Sequence, residues 1–221
     1  MSRTMIAAGL AVVLAGCTAT PQNGEKLVDD VRLQPVALSS DGGSARCSAH
    51  PVLMHRSRAR SDWSATTDVP GTLYVPRNAR VVELVCTPVA GGSPTTRYLA
   101  SEETAEGKRA VAATGAMFLL LGGLPALATG AAQRTDVYAF SDAVKVDLPP
   151  RASASATDRS AYVTRRATEV GHDTDEWHRL RWEMCKDEKS PGEKALDDHC
   201  EKDLNEIKKR REQLLADLKA G

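Results

Sequence analysis

Charge divides this chain in two at Pro149-Pro150. Residues 151–221 hold fifteen basic and sixteen acidic residues, more than half of the 29 of each sign in the whole sequence. So charged a stretch cannot bury itself on every side, and it folds only by laying an apolar helical stripe against something. Leu196, Cys200, Leu204, Ile207, Leu214 and Leu218 supply that stripe at helical spacing, interrupted by Arg211. They predict a helix over residues 193–219. Before it, Trp177, Leu180 and Met184 share one face of another helix, which Ser190-Pro191-Gly192 breaks. The region is an antiparallel helical hairpin, or a helix awaiting a partner, joined to the rest by the linker at residues 149–155.

Residues 44–150 carry strand patterns instead. Ala45, Cys47 and Ala49 alternate with Arg46, Ser48 and His50, so Cys47 faces inward on a half-buried strand. Trp63 opens another strand after Arg56, Arg58 and Arg60. Thr72-Leu73-Tyr74-Val75 follows Val69-Pro70-Gly71, Pro76-Arg77-Asn78 turns the chain, and Val82, Leu84 and Cys86 share a face of the next strand. These two strands predict a hairpin. From Asp68 to Cys86 the arrangement resembles the PEGA-type small β-sandwich modules of bacterial envelope lipoproteins, which are accessory or interaction domains rather than enzymes. Val144, Val146 and Leu148, with the strand at residues 137–140, return to the same module. The expected fold class is α+β: a small disulfide-bonded antiparallel β-sandwich-like module with a glycine-rich apolar insertion, then a C-terminal α-helical hairpin.

The insertion, residues 110–132, is twenty-three residues long and uncharged. Its length permits a membrane span, but eight alanines, four glycines and Pro125 leave only seven Val, Phe and Leu residues. Those seven are worth roughly −3.5 kcal/mol of insertion energy, which glycine and proline largely offset. A span would also place a Cys185–Cys200 bond in a reducing compartment. Gly122, Ala126 and Gly130 stand at the spacing that lets backbones approach closely. They resemble the glycine-zipper segments of some envelope lipoproteins, which implies a packing face for self-association. A buried or membrane-dipping hairpin turning at Pro125 is preferred to a true span or a disordered apolar loop.

The N-terminus carries the most specific signal. Arg3 precedes an apolar run of about ten residues, too short to span a bilayer, and the run ends Leu14-Ala15-Gly16-Cys17. This resembles the lipobox of bacterial lipoproteins. The resemblance implies cleavage after Gly16, removal of residues 1–16, and a diacylglyceryl group on the Cys17 thiol with an acylated α-amine. Thr18, rather than aspartate, after the cysteine is similar to the pattern exported to the outer membrane of diderm bacteria. Residues 17–43 then read as a lipidated N-terminus and polar tether. With Cys17 taken by lipid, Cys47, Cys86, Cys185 and Cys200 remain. An even remainder in an oxidising compartment suggests two disulfides with three possible connectivities. Spacing favours Cys47–Cys86 and Cys185–Cys200, each within one compositional segment.

Catalytic signatures are missing from the sequence: no nucleophile elbow, zinc-protease helix, phosphate loop or dinucleotide fingerprint occurs. His178, Cys185, His199 and Cys200 supply two nitrogens and two sulfurs, but at spacings of no usual zinc module, so no metal or cofactor is assigned. Nothing orients a Cys–His nucleophile pair. Trp177 and Trp182 suit a sugar- or peptidoglycan-stacking platform, though tryptophans beside a helix interface more often form its core. Lys208-Lys209-Arg210-Arg211 suits an anionic lipid surface, yet it lies among Glu201, Asp203, Glu206 and Glu212 and reads as a solvated face. Arg56, Arg58 and Arg60 are a second anion candidate of the same kind.

A net charge of zero gives no field for nucleic acid, and nine aromatic residues are too few for a large enzyme core. The reading that follows is a non-catalytic envelope lipoprotein, anchored through Cys17 and facing the periplasm. It acts as a structural or interaction module for a protein or peptidoglycan partner. A self-associating lipoprotein packing through Gly122 and Gly130, and a periplasmic hydrolase, are the alternatives.

Overall fold

The computed structural model describes residues 26–28, 31–54, 63–104, 138–151, 153–188 and 198–220. The expected signal peptide, Cys17, the Arg56, Arg58 and Arg60 triplet, Leu196 and the apolar run with Gly122, Ala126 and Gly130 lie outside them. In chain order the elements are β1 (Lys26–Val28), β2 (Val31–Ser40), β3 (Ala45–Met54), β4 (Ala65–Val69), β5 (Gly71–Pro76), β6 (Ala79–Pro88), β7 (Thr95–Ala100), β8 (Glu102–Glu103), β9 (Tyr138–Ala139) and β10 (Ala143–Val146). The helices α1 (Ala156–Glu188) and α2 (Asp198–Ala220) follow. The class is α+β, as the patterning predicts: a sandwich of small sheets, two disulfides and a C-terminal helical hairpin.

One sheet runs β4-β3-β6-β7, all antiparallel. A second centres on β2, which pairs antiparallel with β1 and β5 and parallel with β10, and β8 and β9 form a two-stranded antiparallel sheet. The inner faces of the first two share one core. Val36 and Leu38 of β2, Leu73 and Val75 of β5 and Val146 of β10 meet Cys47 and Ala49 of β3 and Val82, Leu84 and Cys86 of β6. Strict alternation built this core from β3, where residues 45, 47 and 49 are buried and 46, 48 and 50 exposed. Cys47 and Cys86 stand directly opposite on neighbouring strands, with Cα atoms 4.0 Å apart, and are bonded. Cys185 and Cys200 join the two helices at their connected ends. Both pairings are the ones that spacing favours.

Three expectations are corrected. β5 and β6 do not form a hairpin: β5 pairs with β2 in one sheet and β6 with β3 and β7 in the other. The turn at Arg77-Asn78 crosses between layers, so Leu73 and Val75 face Val82 and Leu84 across the core rather than lying beside them. At the other end of β5 the chain changes sheet through a cis Val69-Pro70 bond and Gly71, where a Cβ would collide with the Asp68 carbonyl oxygen. Residues 26–28 and 31–40, read as tether, are strands, and β2 is the central strand of its sheet. Strand β4 begins at Ala65 rather than at Trp63, whereas α1 starts at Ala156, directly after the expected linker at residues 149–155.

Gln34 explains how β2 accepts a polar residue at an inward position. Its side-chain amide donates from Nε2 to the Phe140 carbonyl (2.7 Å), and its Oε1 accepts the Phe140 N–H (2.9 Å). The amide thus acts as a piece of ladder for the segment entering β10, and its burial costs little because both polar atoms are satisfied. The Arg80 guanidinium lies over the Tyr138 ring, 3.4 Å from the centroid.

The free edge of β7 is covered by α1. Arg166, 2% exposed, donates from Nη2 to the Thr96 carbonyl (2.7 Å). Asp173, two turns on, accepts the Tyr98 N–H (3.1 Å) at Oδ2. Alternate outward-facing backbone groups of the edge strand therefore end on helix side chains rather than on water or another chain. Arg97 completes the joint, donating to Asp173 from Nε (2.7 Å) and Nη2 (3.2 Å) and to the Lys145 carbonyl from Nη1 (2.9 Å). Burial alone would lower the Arg97 pKa. The hydrogen bond and charge of Asp173, with Glu169 and Asp147, outweigh it, so the shift is upward.

Candidate functional site

The outer face of the β4-β3-β6-β7 sheet carries a polar rung. His50 of β3, Glu83 of β6 and Tyr98 of β7 are consecutive cross-strand partners. The Tyr98 hydroxyl donates to Glu83 Oε1 (2.7 Å), and His50 Nε2 lies 3.0 Å from Glu83 Oε2. Sequence separations of 33 and 15 residues collapse here to one line of side chains because register alone sets the pairing. Helix α2 lays Arg210 across the rung. Its Nε donates to the Tyr98 hydroxyl (2.9 Å) and its Nη2 to Glu83 Oε1 (3.0 Å). Burial pushes the Tyr98 phenol well above its ordinary pKa, so it stays protonated and can donate to Glu83 while accepting from Arg210. The hydrogen bond to Tyr98, reinforced by Glu83, holds the Arg210 guanidinium charged.

A cavity of about 400 Å³ opens between this rung and the helical hairpin. The sheet contributes Val52, Leu53, Glu83 and Tyr98. Helix α1 contributes Trp177 and Arg181, one turn apart, and α2 contributes Asp203, Glu206, Ile207 and Arg210. Those four positions of α2 follow the three- and four-residue helical spacing, so one face of the helix forms a wall. The Trp177 and Tyr98 rings pack with centroids 4.7 Å apart. Arg181, almost wholly buried, donates from Nε to Asp203 Oδ2 (2.9 Å) and ties the helices together across the cavity. Among the described residues Glu206 has neither a hydrogen-bond nor an ion-pair partner.

The residues singled out from sequence fare unevenly. Trp177 and Met184 pack on the small cluster of Leu53, Val81, Tyr98 and Leu180 between sheet and hairpin, while Trp182 points outward and is 40% exposed. The two tryptophans therefore do not form one platform. Cys200, Leu204 and Ile207 bury the predicted stripe, and Leu214 packs beside it. The basic run splits: Lys208 and Lys209 are exposed, Arg210 reaches the sheet, and Arg211 pairs with Asp175 (2.7 Å). The arrangement corrects the solvated-face reading for Arg210. Both thiols of the His178, Cys185, His199 and Cys200 set are in a disulfide, which removes them as zinc ligands. Among the described residues no group of three or more His, Cys, Asp or Glu side chains is placed to hold a metal. Also among them, no helix is long and apolar enough to cross a membrane.

No family model, curated protein or solved structure matches the chain. What the site can do must therefore be read from its own groups. The rung and cavity present apolar walls, an aromatic pair and hydrogen-bonded charges.

Proposed function

We propose that this chain is an exported, lipid-anchored protein of the bacterial envelope that works as a binding module in the periplasm. In this reading Cys17, following Leu14-Ala15-Gly16, carries the acyl chains and holds the molecule at the outer membrane. The cleft between the β4-β3-β6-β7 sheet and the helical hairpin meets an envelope partner. The observation that carries the reading is the pair of disulfides, Cys47–Cys86 and Cys185–Cys200, which use all four cysteines other than Cys17. Four thiols bonded within their own segments suit an oxidising compartment and leave one cysteine, at the lipobox, for modification. Binding rather than chemistry is supported by the cleft, where Glu83, Arg210, Arg181 and Asp203 satisfy one another. Confinement by the anchor raises the effective concentration of a membrane-proximal partner, so modest affinity suffices.

Metabolic palmitate labelling of wild type and Cys17→Ala, with membrane fractionation and intact mass, tests the reading. The expected result is label that depends on Cys17 and a mature chain beginning there with both disulfides formed. Unlabelled protein that still sediments with membranes overturns the anchor and moves attention to residues 110–132.

A further inference from the structure

The charges around the cavity do not cancel. Its lining holds three carboxylates, Glu83, Asp203 and Glu206, against two guanidiniums, Arg181 and Arg210. Both guanidiniums are engaged, Arg181 with Asp203 and Arg210 with Glu83, which leaves Glu206 as the unneutralised charge. Among the described residues that line the cavity, an anionic ligand would meet a net negative wall with no uncommitted cation to receive it. A wholly apolar ligand would desolvate Glu206 without compensation. A cation on an apolar stem meets neither penalty: Val52, Leu53 and Ile207 offer an aliphatic surface, and the Tyr98 and Trp177 rings lie beside it. The volume of about 400 Å³ admits one extended side chain and part of the backbone that bears it, but not a folded domain.

We propose that this cleft binds the ammonium-tipped aliphatic side chain of a lysine or related diamino acid on a short peptide, an assignment that rests on the binding-module reading above. The ammonium meets Glu206, with Asp203 behind it. The methylenes lie on Val52, Leu53 and Ile207, and the rung of Glu83, Tyr98 and Arg210 closes the far side. Such a side chain occurs in protein segments and in cell-wall peptides alike, and the chemistry at the cleft is the same for both.

The test uses the full chain in detergent micelles, with Nα-acetyl-lysine methylamide as probe and its Nε-acetylated, uncharged counterpart as control. The readout is the indole N–H resonance that Trp177→Phe removes. The charged probe is expected to shift that resonance saturably, with a Kd of about 1 mM or tighter, and the neutral one to bind at least about tenfold more weakly. Glu206→Gln, at an exposed position where folding is not at stake, is expected to weaken the charged probe by about fivefold. Equal binding of the two probes, an unchanged Kd in Glu206→Gln, or no saturable shift each overturns the assignment. Once the charged probe binds, an all-L Ala-Lys-Ala peptide and a cell-wall peptide with D-residues on either side of the lysine identify the source by which binds more tightly. Because the readout is independent of acylation, loss of palmitate labelling with binding intact refutes the anchor alone. Labelling without binding refutes the ligand alone.

Discussion

Replacing Asp173 with alanine removes one carboxylate from beneath the edge of β7, and the consequences are countable. Oδ2 accepts the Tyr98 N–H at 3.1 Å and Arg97 Nε at 2.7 Å, while Oδ1 accepts Arg97 Nη2 at 3.2 Å. Tyr98 is 3% exposed, so its amide loses the Asp173 acceptor where water scarcely reaches, at a cost of about 1–3 kcal/mol. Arg97 keeps the Lys145 carbonyl and a 3.5 Å contact with Glu169, so it loses part of its compensation, about 1–2 kcal/mol. The sum, about 2–5 kcal/mol, is a large share of the 5–15 kcal/mol that ordinarily holds a domain together. Urea unfolding with disulfides intact should show that loss. Hydrogen exchange should show the Tyr98 amide opening ahead of β3 and β6. Asp68→Ala, which breaks the exposed Arg46–Asp68 pair, is the control and should cost under about 1 kcal/mol. A loss in Asp173→Ala no larger than the control's, or a cycle with Arg97→Met showing coupling under about 0.5 kcal/mol, would refute α1 as the seal of this sheet edge.

Removing Cys185–Cys200, which closes a separation of 15 residues, should cost about 3 kcal/mol. Removing Cys47–Cys86, across 39 residues, should cost about 4 kcal/mol; paired serine variants unfolded in denaturant measure both. Gln34→Ala strands the Phe140 N–H and carbonyl, and should cost about 2–4 kcal/mol and hasten proteolysis near residues 138–142. Burial, with Lys208 nearby, holds the His178 imidazole below its ordinary value. The unfolded chain therefore takes up that proton first: the stability His178 contributes is present above its unfolded pKa of about 6.5 and lost as pH falls from there toward the depressed folded value. His178→Gln should flatten stability across that mildly acidic window. The slope is small because the ring is partly solvated, and a series of urea midpoints from neutral to mild acid measures it.

Where a pattern depends only on neighbours along the chain, it was readable. The alternation at 45–50 set the inward face of β3, the spacing of Cys200, Leu204 and Ile207 set the buried face of α2, and the Pro149-Pro150 break marked the border between sandwich and hairpin. Strand β2 escaped notice because its pattern is broken. Gln34 faces inward, satisfied by Phe140, while Leu33 is buried on the opposite side. The assumed β5–β6 hairpin failed for a related reason. Two alternating strands and a short turn read the same whether the strands pair side by side or face each other across a core.

The cleft was less legible still. Ile207 and Trp177 were visible as apolar helix positions, but Asp203, Glu206 and Arg210 looked like any solvated charges. Only the contact with the sheet turns Arg210 onto Tyr98 and Glu83. Arg166 and Arg181 are buried for the same reason: each finds acceptors on another element, Thr96 on β7 and Asp203 on α2. By itself, then, the sequence determined which residues alternate, which recur on a helix, and which cysteines lie near enough along the chain to meet. The tertiary structure decided the rung of His50, Glu83 and Tyr98, the seal along β7 and the unbalanced charge at Glu206. Cross-strand register and helix docking bring together groups whose separation along the chain carries no trace of their contact.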